Sequence, residues 1–141
     1  PTGNWIQGFT FGNNTFVAVG SSGNIVRSTD NGSSWDNATS PTANDLRGAT
    51  FGNNIFVAVG RYGNIVRSTN NGSSWDNVTS PTANDLRDVE FGNNTFVAGG
   101  MDGNIIRSTN NGASWDNVTS GFPTGIVGPP SRELRDIIFL E

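Results

Sequence analysis

The chain has no cysteine and no histidine, and only one tyrosine, Tyr62. The first absence excludes disulfides and thiolate chemistry and leaves the redox compartment open. The second removes the usual base of a catalytic triad and the commonest transition-metal ligand. Charge is scarce as well: 14% of the residues are charged and the net charge is −4. Eight basic residues spread evenly over 141 positions form no basic stripe, so no nucleic-acid partner is expected. No segment approaches the ~20 apolar residues of a membrane-spanning helix. The longest aliphatic run, Ile137–Leu140, is far shorter, and no membrane insertion is expected.

Hydrophobic residues make up only 33% of the chain, yet aromatics reach 10%. Disorder goes with few aromatics and high net charge, so this composition points to a folded protein with a polar surface. Nineteen glycines, with abundant Asn, Ser and Thr, suit short strands joined by tight turns. The order of these residues is periodic. The string Ser-Thr-Asp/Asn-Asn-Gly-Ser/Ala-Ser-Trp occurs at Ser28–Trp35, Ser68–Trp75 and Ser108–Trp115, each copy forty residues after the last. Segments 43–82 and 83–122 differ at only eleven of forty positions. A period near this length is that of a four-stranded propeller blade, which makes the expected fold an all-β propeller.

In the central unit, Leu46–Phe51 reads as strand A, Ile55–Val59 as B, Ile65–Ser68 as C and Ser74–Val78 as D. Gly/Asn turns separate them at hairpin length, which gives an antiparallel meander. In strand B, Phe56 and Ala58 face one way and Ile55, Val57 and Val59 the other, so both faces are apolar and need neighbours. The same frame places a first blade at 4–40, a second at 44–80 and a third at 84–120. A linker over 121–132, stiffened by Pro123, Pro129 and Pro130, leads to an extra A-type strand over 133–140.

The pattern Ser-x-Asp-x-Gly-x-x-Trp, matched in full by Ser28, Asp30, Gly32 and Trp35, resembles the Asp-box or BNR repeat. With its flanking strands it covers nearly the whole chain. The resemblance is to sialidase-type, sortilin-type and photosystem-assembly propellers, and it implies a box on the turn between strands C and D. Short polar side chains such as Ser28 and Asp30 hydrogen-bond local backbone in such turns, and Gly32 supplies a positive φ. Trp35 is expected to bury its ring between blades. The other copies read Ser68, Asn70, Gly72, Trp75 and Ser108, Asn110, Gly112, Trp115. Asn in place of Asp keeps the acceptor and drops the charge, which weakens a metal-binding role. The boxes are read as structural, with no metal and no cofactor.

Propellers close with four to eight blades, and three leave apolar sheet faces open. A second copy is the expected partner, giving a six-bladed dimer with a two-fold axis, fastened by strand 133–140. The alternative is a fragment of a larger Asp-box propeller.

A sialidase-like glycosidase needs an arginine cluster, a Tyr nucleophile and supporting acids. Tyr62 is the lone Tyr and Glu90, Glu133 and Glu141 the lone Glu residues, while Arg27, Arg67 and Arg107 fall at one repeat position on different blades. Catalytic sites are asymmetric, so an enzyme is not expected. Binding is read instead from the B–C turns, which differ while their surroundings repeat: Ser21-Ser22, Arg61-Tyr62 and Met101-Asp102. Loops on a rigid scaffold carry binding, and Arg and Tyr are favoured contact residues. Ser22, Arg61, Tyr62 and Asp102 are therefore the candidate ligand-binding residues, with surface carbohydrate as the leading ligand class and weak sites gaining by multivalency. Neutral variation at exposed turns is the competing account. A structural scaffold without ligand, in a virion, at a cell surface or as a duplicated or engineered repeat, is the alternative function. An extracellular, cell-surface or virion setting accords with either. Asp102-Gly103-Asn104 supplies too few oxygens for a calcium loop.

Overall fold

Paired asparagines set the hairpins. Asn13-Asn14, Asn53-Asn54 and Asn93-Asn94 all adopt positive φ, between 51° and 62°. Two consecutive left-handed residues make the tight turn whose twist matches that of the flanking strands, and Asn tolerates this conformation better than most residues. The computed structural model of the chain describes residues 4–119 and 121. The expected linker over 121–132, apart from Gly121, and the extra strand over 133–140 lie outside the described residues.

Among the described residues, twelve strands form three four-stranded antiparallel sheets. The first sheet contains β1 (Ile6–Gly12), β2 (Thr15–Gly20), β3 (Ile25–Ser28) and β4 (Asp36–Ala38). The second contains β5 (Leu46–Gly52), β6 (Ile55–Gly60), β7 (Ile65–Ser68) and β8 (Asp76–Val78). The third contains β9 (Leu86–Gly92), β10 (Thr95–Gly100), β11 (Ile105–Ser108) and β12 (Asp116–Val118). Every sheet is a meander in sequence order, and the register repeats: Phe11 pairs with Phe16, Phe51 with Phe56 and Phe91 with Phe96. The fourth strand of the central sheet begins at Asp76, not at Ser74 as the sequence pattern predicts. Ser74 is held inside the preceding turn, where its N–H donates to Asn70 Oδ1 at 3.0 Å.

The sheets stack face to face, with first strands side by side. At Gly8 in β1, a Cβ would stand 3.0 Å from Arg47 O and 3.2 Å from Gly48 Cα in β5. The approach is closer at Gly12, where a Cβ would fall 2.0 Å from the ring of Phe51. Only a residue without a side chain lets that aromatic ring of the next sheet seat against the hairpin.

Two apolar cores result, and both lie between sheets. Val17, Val19 and Ile25 of the first sheet meet Leu46, Phe56, Ala58, Val66 and Trp75 of the second. Val57, Val59 and Ile65 on the other face of the second meet Leu86, Val89, Phe96, Ile106 and Trp115 of the third. The two faces of strand B therefore serve different neighbours. The leading face of the first sheet has no such cover among the described residues, and Ile6, Phe9 and Phe11 of β1 are exposed, as is Trp5 just before it.

Candidate functional site on the repeated turns

Each eight-residue box forms the turn between the third and fourth strands. In the first, Ser28 Oγ donates to Asp30 Oδ1 at 2.8 Å and accepts the Gly32 N–H at 2.8 Å. Asp30 also accepts the Ser34 N–H at 2.9 Å and the Ser34 hydroxyl at 2.6 Å. These bonds, led by that from the Ser34 hydroxyl, favour the carboxylate and lower the Asp30 pKa from 3.8 to about 2. Gly32 sits at φ +82°, and its carbonyl accepts the Trp35 indole N–H at 3.1 Å. The net is closed and local: Ser28, Asp30, Gly32, Ser34 and Trp35 are bonded to one another within the turn.

Asn at the third position preserves the net with one bond reversed. Asn70 Oδ1 accepts from Ser68 Oγ at 3.0 Å and from the Ser74 N–H at 3.0 Å, whereas Asn70 Nδ2 donates to Ser74 Oγ at 2.7 Å. Asn110 repeats this with Ser108 and Ser114. The Ser34 hydroxyl donates in the first box; those of Ser74 and Ser114 accept. Among the described residues no three acidic side chains gather as a metal site would require.

The tryptophans separate by environment. Trp75 and Trp115 are 5% and 6% exposed between sheets, while Trp35 is 38% exposed, contrary to the expectation that it is buried. The local turn is the same in all three; what Trp35 lacks is a preceding sheet among the described residues.

A second set of repeated residues acts across the joints, and sequence reasoning did not assign it. Arg27 Nη1 donates to Asn71 O at 2.9 Å, and Arg67 Nε to Asn111 O at 2.8 Å. Asn13 and Asn53 donate to the side-chain oxygens of the same two residues, Asn71 and Asn111, at 3.2 and 3.0 Å. Asn71 Nδ2 in turn donates to Thr15 Oγ1 at 2.8 Å. The repeated arginine is thus a strut between blades. Its recurrence at one repeat position was the available signal, but the acceptor is a backbone carbonyl that no side-chain pattern reveals.

The B–C turns occupy equivalent places on the three sheets, so Ser22, Tyr62 and Asp102 are set on successive blades and not gathered into one cluster. All three adopt φ +59°. The turn is gripped by the next unit: Ser22 N–H donates to Asp45 Oδ1 at 2.9 Å and Tyr62 N–H to Asp85 Oδ1 at 2.9 Å. Asp85 Oδ2 also pairs with Arg47 at 3.3 Å. Tyr62 is 58% exposed, and the Arg61 guanidinium lies 5.3 Å from its ring centroid. The ring borders an open depression of about 490 Å³, whose wall includes Asn64, Asn77, Ser80, Pro81 and Thr82. Several of these polar groups are already engaged, Asn77 Nδ2 with Pro41 O and Ser80 Oγ with Thr82 O.

Four-stranded meanders stacked face to face, with first strands side by side, define a β-propeller. No family model matches the chain, and no curated protein matches it. Solved structures do. A structure titled YCF48 bound to D1 peptide superposes with a TM-score of 0.70 at 22% identity, over 83% of this chain and 41% of that one. The Niastella koreensis GH74 enzyme gives 0.59 at 24% identity, covering 83% of this chain and 18% of the enzyme. The WD40 propeller domain of Doa1 gives 0.60 at 12% identity, covering 80% and 39%. The chain spans less than half the length of each of these relatives, and what they share with it is the fold.

Proposed function

We propose that the chain is a non-enzymatic binding and assembly module of the Asp-box type, with carbohydrate bound at the Tyr62 turn and the blade array completed by a second copy. The observation that carries the binding half is the conformation of Tyr62. A bulky residue at φ +59° is a genuine outlier, and strain of this kind concentrates at functional sites. Ser22 and Asp102 adopt the same conformation at lower steric cost, so the turn itself has no need of an aromatic ring. What the ring adds is an exposed flat face with a guanidinium beside it, above a polar depression. That combination suits stacking against a sugar and hydrogen bonding to its hydroxyls. The non-enzymatic reading is supported by Arg27 and Arg67, each committed to a backbone carbonyl.

The test is a glycan array read with assembled protein, followed by titration of the strongest hit against Tyr62→Ala. Saturable binding weakened about tenfold or more by the substitution is expected, as for an aromatic anchor. Absence of any signal would favour the scaffold reading, in which the turn has no ligand.

A further inference from the structure

The two ends of the blade array carry the two halves of one joint. Inside the chain, Asn71 and Asn111 are each held by an arginine and an asparagine from the preceding sheet. Asn31 occupies the same position in the first box, exposed, with no partner on its carbonyl or amide among the described residues. At the opposite end, Asn93, Thr95 and Arg107 repeat Asn13, Thr15 and Arg27. Arg107 is exposed and likewise has no partner among the described residues. Thr95 restores the hydroxyl that Ile55 removes at the second joint, so this end carries the same three partners for the box asparagine as the first.

The apolar surfaces match in the same sense. Phe56 and Phe96 are fully buried by the sheet before them, whereas their equivalent Phe16 is only partly buried. Val57 and Ile65 are buried by the sheet after them, whereas Val97 and Ile105 remain partly exposed. The ends depart from the inner joints at the turn grip, where Trp5 stands in place of the Asp45 and Asp85 that accept from the preceding B–C turn.

We infer that the third blade of one copy docks on the first blade of a second. Arg107, Asn93 and Thr95 engage Asn31. This rests on the assembly reading above and gives it a register. The contact is head to tail, and made twice it closes two copies into six blades around a two-fold axis. A second copy fits better than an unrelated apolar partner, because both halves of a polar set already seen at the inner joints are present on this one chain.

The experiment is light scattering on a sizing column with the full chain over a range of concentrations. The expected mass is twice 14.9 kDa at high concentration. Arg107→Ala should raise the dimer dissociation constant about a hundredfold, the loss of one charge-assisted bond at each of the two joints. Asn31→Ala, on the other half of the joint, should weaken the dimer to a similar extent, and the two substitutions together should cost little more than either alone. A single-chain mass throughout would overturn both the assembly reading and this joint. A dimer indifferent to Arg107→Ala, or losses from the two substitutions that add in full, would overturn the joint alone. Circular dichroism checks the fold of each variant, and Arg107→Ala decides if Asn31→Ala does not fold.

Discussion

Trp75→Ala and Trp35→Ala remove the same side chain from the same turn, so the difference between them isolates the neighbouring blade. Both indoles donate to a glycine carbonyl, at 3.0 and 3.1 Å, and those bonds cancel in the comparison. The burial does not cancel, since Trp75 is 5% exposed and Trp35 38%. A tryptophan buries up to ~250 Å², so the part that differs is about 80 Å², which corresponds to about 2 kcal/mol. Trp75→Ala as a whole should cost about 3–5 kcal/mol, cavity included. For a chain of this size 1 kcal/mol moves the melting temperature by about 3–4 °C, which puts Trp75→Ala about 6–8 °C below Trp35→Ala. Far-UV circular dichroism is the assay, because it does not depend on the deleted fluorophore. At low protein concentration the gap should be full; at high concentration it should narrow as a second copy covers the Trp35 face. Equal losses at low concentration would refute the argument that blade contact, and not the box turn, is what these tryptophans stabilise.

Other residues separate local from inter-blade effects. Ser68→Ala removes the acceptor of the buried Gly72 N–H and should cost about 1–3 kcal/mol, seen as a lowered urea midpoint with unchanged slope. The Asp30 pKa is lower in the fold than the ordinary 3.8, so its contribution is complete above 3.8 and fades as pH falls toward about 2. Asp30→Asn, which copies the other two boxes, should abolish that acid-dependent loss in melting scans; an unchanged acid profile would count against it. Tyr62→Asn places a residue tolerant of the left-handed region at φ +59° and should stabilise the fold by about 0.5–1 kcal/mol while weakening ligand binding. A destabilised Tyr62→Asn variant would mean that the ring packs for stability and not for function.

Much of this architecture was legible in the chain because it is written three times. The spacing of Ser68, Gly72 and Trp75, the paired asparagines at the hairpins and the two-sided apolar pattern of Ile55–Val59 are local features, and a turn or a strand pleat reads them directly. The box hydrogen bonds are equally local, spanning at most four residues between Ser28 and Gly32. The onset of the fourth strand was misplaced because the box turn takes Ser74 and Trp75 for itself.

What tertiary structure alone decided is which identical residues are equivalent in environment. Trp35, Trp75 and Trp115 stand in matching segments, yet only the latter two are buried, because burial is a property of the sheet before them. Arg27 finds its acceptor forty-four positions away on a backbone carbonyl, and Asp85 grips the Tyr62 turn twenty-three positions before it. Such contacts join different repeats, so they leave no trace in the pattern within one. By itself the sequence determined the blade, its turns and its two apolar faces. The stacking of blades determined which faces are covered, and therefore where apolar surface stays exposed among the described residues.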